Sequence, residues 1–219
     1  MRPVLPSTVK ALIIANGECG SDDLPDPTLF DVVIAVDGGG RHAERRGIKP
    51  NVVIGDEDSL PQALQKKWRA QKIPFCTFPT DKSQTDLELA FLWAQERGVQ
   101  ESIVCGALGQ RLDHAMANIA LLADVRFASL SLTFVHGGTR VRCLRSTETL
   151  LECQGERVSL LSVSQDTLLT LRGFQYLLER EPLLSPTHGI SNCIVESPAS
   201  IVVHEGAVLM FHASLKADS

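Results

Sequence analysis

Uninterrupted apolar runs dominate the first two-thirds of the chain. They cover residues 9–15, 31–36, 51–54, 74–78 and 102–105, and glycine or polar residues end most of them. Between them, 41–46, 61–71, 85–97 and 113–127 carry helical spacing of apolar positions. Continuous Val/Ile runs, rather than alternating ones, predict strands covered on both faces. Strands of that kind separated by helices predict a mostly parallel sheet with helices on both sides, a Rossmann-like α/β layout. From about residue 130 the rhythm changes. Strand-length segments at 132–135, 140–144, 149–152, 157–162, 168–171, 193–196, 201–204 and 207–212 leave little room for helices, and turns such as His136-Gly137-Gly138, Gln154-Gly155-Glu156 and Glu205-Gly206 separate them. This predicts an all-β, sandwich or barrel-like C-terminal domain. The boundary is expected within 136–148, giving domains 1–138 and 139–219.

Composition narrows the classes. With 44% hydrophobic and 21% charged residues the chain is an ordinary globular one. Its net charge of −5 argues against nucleic-acid binding, which needs a basic surface, but not against one metal-neutralised triphosphate. No apolar run approaches the ~20 residues of a membrane span. Met1-Arg2-Pro3-Val4-Leu5-Pro6 is too short and too proline-rich for a signal peptide, so a cytoplasmic location is the default expectation. The six cysteines are scattered without C-x-x-C spacing and are expected to be free and structural.

The candidate chemistry lies where the apolar runs end, because ligands of an open parallel sheet bind beyond the carboxyl ends of its strands. Asp37-Gly38-Gly39-Gly40 offers an acid followed by residues without Cβ, past which a phosphate or ribose could approach the backbone; Asp37 could equally cap the next helix. Gly55-Asp56-Glu57-Asp58-Ser59 crowds three carboxylates behind a buried strand. Their repulsion is costly without a cation, and the D-x-D spacing suits Mg²⁺. The alternative is a solvated acidic turn in which Ser59 caps a helix. Thr85-Asp86-Leu87-Glu88 is a capping box, which by itself would explain Asp86. In Gly106 to His114, backbone amides and Arg111 could hold phosphate oxygens, or Asp113 could simply cap a helix. Neither a G-x-x-x-x-G-K-[ST] loop nor a G-x-G-x-x-G fingerprint is present, which excludes the common phosphate-loop kinases and the usual dinucleotide-binding dehydrogenases.

In order along the chain, these segments resemble the thiamine pyrophosphokinase family. The resemblance rests on Asp37-Gly38-Gly39, the stretch Gly47 to Ser59, Thr85-Asp86-Leu87-Glu88-Leu89-Ala90, Gly106 to His114 with Asn118, and Gly189-Ile190-Ser191-Asn192. It implies a homodimer of two-domain chains, each an α/β nucleotide domain followed by a β-sandwich. The implied reaction transfers the pyrophosphoryl group of ATP to the hydroxyethyl oxygen of thiamine, with Mg²⁺, releasing AMP. By position, Asp56, Asp58 and Asp86 resemble the family's catalytic metal and triphosphate cluster. Asp37, Gly38, Gly39, Lys82, Thr85, Arg111 and Asp113 resemble its nucleotide-facing residues. Ser191 and Asn192 resemble the segment near thiamine, which the family binds between subunits. The chain departs from the pattern at Glu57, where an aromatic is usual, at Ser83, where an acid is usual, and at Gln110, where a glycine is usual. Two other functions remain open at this point. One is a pyrophosphokinase acting on a pterin alcohol (6-hydroxymethyl-dihydropterin). The other is a non-catalytic nucleotide sensor, against which the retention of all three aspartates argues.

Overall fold

A computed structural model describes residues 8–56, 59–78, 83–109 and 111–214. Two compact units divide the chain, residues 1–136 and 137–219.

The first unit is built on six parallel strands: β1 (Val9–Ile14), β2 (Val32–Val36), β3 (Val52–Ile54), β4 (Phe75–Cys76), β5 (Val99–Cys105) and β6 (Leu132–His136). Their spatial order is β6-β5-β1-β2-β3-β4. The chain therefore winds outward from β1 in one direction as far as β4, then returns to β1's other edge with β5. Helices α1 (Gly40–Arg45), α2 (Gln62–Ala70), α3 (Asp86–Glu96) and α4 (Leu112–Ala123) supply the crossovers from β2 onward, and two short 3-10 turns lie between β1 and β2. On one face Leu12, Ile14, Val33, Ala35 and Val53 pack with Leu60, Leu64 and the almost fully enclosed Trp68. Buried Phe91 of α3 meets Phe127 edge-on at 5.3 Å and Phe134 of β6 at 6.4 Å. The unbroken Val/Ile runs thus form strands enclosed on both faces, as their lack of alternation predicted.

The second unit contains two antiparallel sheets. One has the order β12-β9-β14-β7, with β7 (Thr139–Leu144), β9 (Arg157–Ser162), β12 (Asn192–Cys193) and β14 (Val208–Ala213). The other has the order β11-β10-β13-β8, with β8 (Glu148–Leu150), β10 (Leu168–Arg172), β11 (Leu178–Pro182) and β13 (Ala199–Glu205). Leu144, Val158, Leu160, Val208 and Met210 from the first meet Leu150, Leu169, Leu171, Ile201 and Val203 from the second in one core. This is a β-sandwich, and period-2 burial along β9 and β13 marks its strands.

Two expectations need correction. The segment at 132–135 does not open the antiparallel region: β6 pairs parallel with β5, Ser102 opposite Leu132. The expected helix over 113–127 is α4 followed by a tight turn at Val125–Leu130, and together they form the crossover a parallel return requires. Strand β11 was not anticipated. Its sequence, Leu-Glu-Arg-Glu-Pro, is mostly exposed, charged and proline-ended, as suits a sheet edge and not a core strand.

Candidate active site

A cavity of about 590 Å³ opens at the carboxyl ends of β1, β2 and β5. This is where the strand order reverses, since β1 lies between β2, to which the chain first winds, and β5, with which it returns. The two loops that leave such a point must diverge, and a cleft is left between them. Here the loops after β1 and β5 are laced together at its floor. Ala15 N–H donates to Cys105 O at 2.8 Å, Gly17 N–H to Gly106 O at 2.7 Å, and Glu18 N–H to Leu108 O at 2.7 Å. Asn118 of α4 donates from Nδ2 to Ala107 O at 2.6 Å. Sequence reasoning assigned no role to Asn16, Gly17 or Glu18 of this wall; the only signal was the Asn16-Gly17 end of the first apolar run.

Carboxylates gather at the other wall. Asp37 leaves β2 in a left-handed conformation, φ 49°, and makes no cap hydrogen bond to α1, whose N-cap is Gly39. The capping explanation for Asp37 therefore fails. Its Oδ1 is buried without a hydrogen-bond partner among the described residues. Burial pushes the Asp37 carboxyl above its ordinary range; the Ser59 hydroxyl and the Gly38 amide offset part of that, and repulsion from Asp86 and Asp56 adds to it. Ser59 therefore faces Asp37. It does not cap α2, which begins at Gln62 with Pro61 as its N-cap. Asp56 follows β3 on Gly55, whose φ of 138° would strain any side chain and whose approach to the Asp37 backbone is close (an added Cβ would lie 3.2 Å from Asp37 Cα). Asp86 is the first residue of α3, capped by Thr85, whose Oγ1 accepts from Glu88 N–H at 3.2 Å. Thr85, Asp86 and Arg111 all line the cavity with Asp37 and Ser59.

Three other expected residues are placed differently. Gly38 and Gly39 were expected to let a ligand approach. Their bare Cα faces instead meet the chain itself: an added Cβ on Gly39 would lie 2.1 Å from Ile14 O, and one on Gly38 2.1 Å from Asn16 Oδ1. Asp113 does not line the cavity. It holds the exposed Arg111 guanidinium at 2.5 Å, which depresses the Asp113 carboxyl to about 2. Asp58 and Lys82 lie outside the described residues, as do Glu57 and Gln110.

In the second unit, Asn192 is buried and both ends of its amide are engaged. Oδ1 accepts from Tyr176 N–H at 3.0 Å, and Nδ2 donates to Tyr176 O at 2.7 Å. Ser191, at φ 58°, donates its N–H to Ser159 Oγ at 2.9 Å. The Tyr176 side chain, the only tyrosine of the chain, remains 64% exposed.

Comparison with known proteins decides the family. Residues 29–134 match the model of the thiamin pyrophosphokinase catalytic domain, and residues 146–208 match that of the thiamin pyrophosphokinase vitamin B1 binding domain. The chain belongs to the thiamin pyrophosphokinase family. It is 27% identical over 210 residues to the thiamine pyrophosphokinase of Bacillus subtilis, covering 92% of this chain and 97% of that one. The crystal structure of thiamine pyrophosphokinase from Bacillus subtilis superposes with a TM-score of 0.81 at 26% identity, over 94% of this chain and 99% of that one. The thiamin pyrophosphokinase from Geobacillus thermodenitrificans does so with a TM-score of 0.79 at 27% identity, over 94% and 98%. The parallel-sheet unit and the β-sandwich unit are those of the family.

Proposed function

We infer that the chain transfers the pyrophosphoryl group of ATP to thiamine, giving thiamine diphosphate and AMP. The observation that carries this is that Asp37 and Asp86 line one cleft, with Asp56 close enough to repel the Asp37 charge, all within the segment that matches the catalytic-domain model. In the reaction the hydroxyethyl oxygen of thiamine bonds to the β-phosphorus of ATP. The bond from that phosphorus to the α-bridging oxygen breaks, AMP departs with the electron pair, and the hydroxyl proton passes to solvent. Little covalent help is needed, so positioning and charge neutralisation carry the rate. The cationic Arg111 on the cavity wall suits phosphate oxygens.

The donor set fits Mg²⁺, because the groups are hard carboxylate oxygens and Asp37 holds a buried oxygen without a partner among the described residues. Asp56, Asp58 and Asp86 would hold the ion. When bound, it supplies neutralisation of the triphosphate and electron withdrawal at phosphorus. The match of residues 146–208 to a vitamin B1 binding domain supports thiamine over a pterin alcohol as acceptor. Asn192 serves there by fixing the backbone of Tyr176, whose exposed ring offers a flat face to an aminopyrimidine. Incubation with ATP, Mg²⁺ and thiamine yields AMP and thiamine diphosphate. Turnover of the pterin alcohol in place of thiamine overturns the assignment.

The working form is a homodimer, with a second copy covering α4. Of that helix only Leu122 is buried, while Leu112 and Met116 are 76% and 66% exposed. Its Arg111–Asn118 segment borders the cavity, so a partner there would roof the site. Light scattering gives a dimer mass for active protein and a monomer mass for Met116→Glu; a wild-type monomer with full activity refutes this. A cytoplasmic setting belongs to the same reading and is supported by six free thiols. Among the described residues no helix is long and apolar enough to cross a membrane.

A further inference from the structure

The loop between β8 and β9 carries a cluster with no part in the proposed reaction. Cys153 Sγ, a Glu156 carboxylate oxygen and a His212 ring nitrogen all lie within 4.8 Å of one another. Cys153 and Glu156 stand at the two ends of a tight turn closed by Glu156 N–H to Cys153 O at 3.0 Å. The turn is pinned from outside as well: Gly155 N–H donates to Ile194 O at 2.8 Å, and Ile194 N–H to Glu156 O at 3.0 Å. His212 arrives from β14, opposite Val158 of β9 and Arg140 of β7. All three side chains are partly buried, with 13% exposure at His212 and 17% at Glu156. The backbone therefore delivers three different ligand types to one point before any ion arrives.

We propose that Cys153, Glu156 and His212 form a site for Zn²⁺. A thiolate, an imidazole and a carboxylate are all common zinc donors, and at metal–ligand distances of about 2.0–2.3 Å they stand roughly 3–4 Å apart around a tetrahedral ion. One thiolate and one carboxylate balance the charge of a divalent cation, with neutral imidazole as third ligand and water in the fourth position. In the metal-free protein His212 Nε2 and Glu156 Oε2 are hydrogen-bonded at 2.6 Å. Zinc replaces that hydrogen bond and displaces the thiol proton, so uptake weakens on acidification. Arg140 and Glu152 face the thiol with opposite charges. The ion ties the β8–β9 turn to the C-terminal strand of a small sandwich, where one cross-link has leverage on stability.

The test uses the whole chain, stripped with chelator and held in excess Mg²⁺ so that the carboxylate cleft is occupied by a hard ion. Co²⁺, as the spectroscopic stand-in for Zn²⁺, should bind one equivalent with a thiolate-to-metal charge-transfer band, and Zn²⁺ should displace it. Cys153→Ser should abolish the band and Cys193→Ser should keep it. Glu156→Gln and His212→Asn should each weaken binding by about tenfold or more. Zn²⁺ should raise the melting temperature of wild type and of Cys193→Ser, but not of Cys153→Ser. Melting curves of the metal-free variants show whether each is folded. Absence of the band in wild type, its survival in Cys153→Ser, or its loss in a folded Cys193→Ser overturns the proposal. None of these outcomes bears on pyrophosphoryl transfer, which is read separately from AMP release.

Discussion

The polar residues singled out in the two units meet different fates. At the ends of β2 and β3 and the start of α3, aspartates crowd one another, and one carboxylate oxygen of Asp37 is buried with no partner among the described residues. In the sandwich, Asn192 is buried more deeply, yet both its amide oxygen and its amide nitrogen are engaged by the Tyr176 backbone. A buried polar group without a partner costs free energy unless a ligand completes it, whereas a satisfied one holds architecture. The contrast separates a group poised to act on a ligand from one that positions another segment. Residue type alone does not separate them, since both Asp and Asn are common in either role.

The sharpest way to break this contrast is Asp86→Asn. If the cleft carboxylates act on the transferring phosphoryl group, turnover falls by at least ~10²-fold, equivalent to about 2.7 kcal/mol of transition-state stabilisation. The melting temperature should not fall, because one member of a repelling cluster has been neutralised. Near-wild-type turnover at saturating Mg²⁺ removes Asp86 from the chemistry.

Asn192→Ala tests the other side. It strands the Tyr176 N–H and C=O and should lower unfolding free energy by about 1–3 kcal/mol, read as a shift of the denaturant midpoint. The Michaelis constant for ATP should stay put while that for thiamine rises through the displaced Tyr176. Unchanged stability with impaired thiamine use would mean that the amide faces the ligand, and the contrast would collapse.

The smallest effect concerns pH. The Asp37 carboxyl is raised above its ordinary 3.8, first by burial. Its folded form therefore holds the proton more tightly than the unfolded form. The stability this contributes is full below 3.8 and is lost as pH rises through the raised folded value. Asp37→Asn, which tolerates the same left-handed backbone, should match or exceed metal-free wild type at pH 7, by up to ~1 kcal/mol. The difference should shrink as both are acidified. A variant less stable than wild type at neutral pH would show that the ionised carboxylate is satisfied after all.

Much of the layout was legible in the chain. Unbroken runs such as 9–15 and 31–36 could only be strands covered on both faces, and Thr85 with Glu88 marked the start of α3 to the residue. Strand β11 was hidden because edge pairing asks little of side chains: Glu179, Arg180 and Glu181 read as a loop until Leu178 and Glu181 are seen opposite Leu171 and Leu169. The parallel membership of β6 was hidden for another reason. A strand's direction is set by the crossover before it, and its own residues do not record it.

The same division holds at the site. Which acids stand at element ends follows from local sequence, since the apolar run dictates where the strand stops before Asp37 and Asp56, and the Thr85 cap dictates where the helix starts at Asp86. What those acids do was decided only by tertiary structure. Hydrogen-bond satisfaction depends on neighbours distant in sequence. Ser59 turned from a helix cap into a partner of Asp37, Gly38 and Gly39 turned from a ligand's approach path into packing against Asn16 and the end of β1, and Asn192 turned to Tyr176. The zinc ligands show the same limit, because Cys153 and Glu156 share one turn while His212 reaches them only through the pairing of β14 with β9. Local pattern specifies the backbone's period and its breaks. Contacts across many residues set the charge, burial and partners of a side chain, and these determine its chemistry.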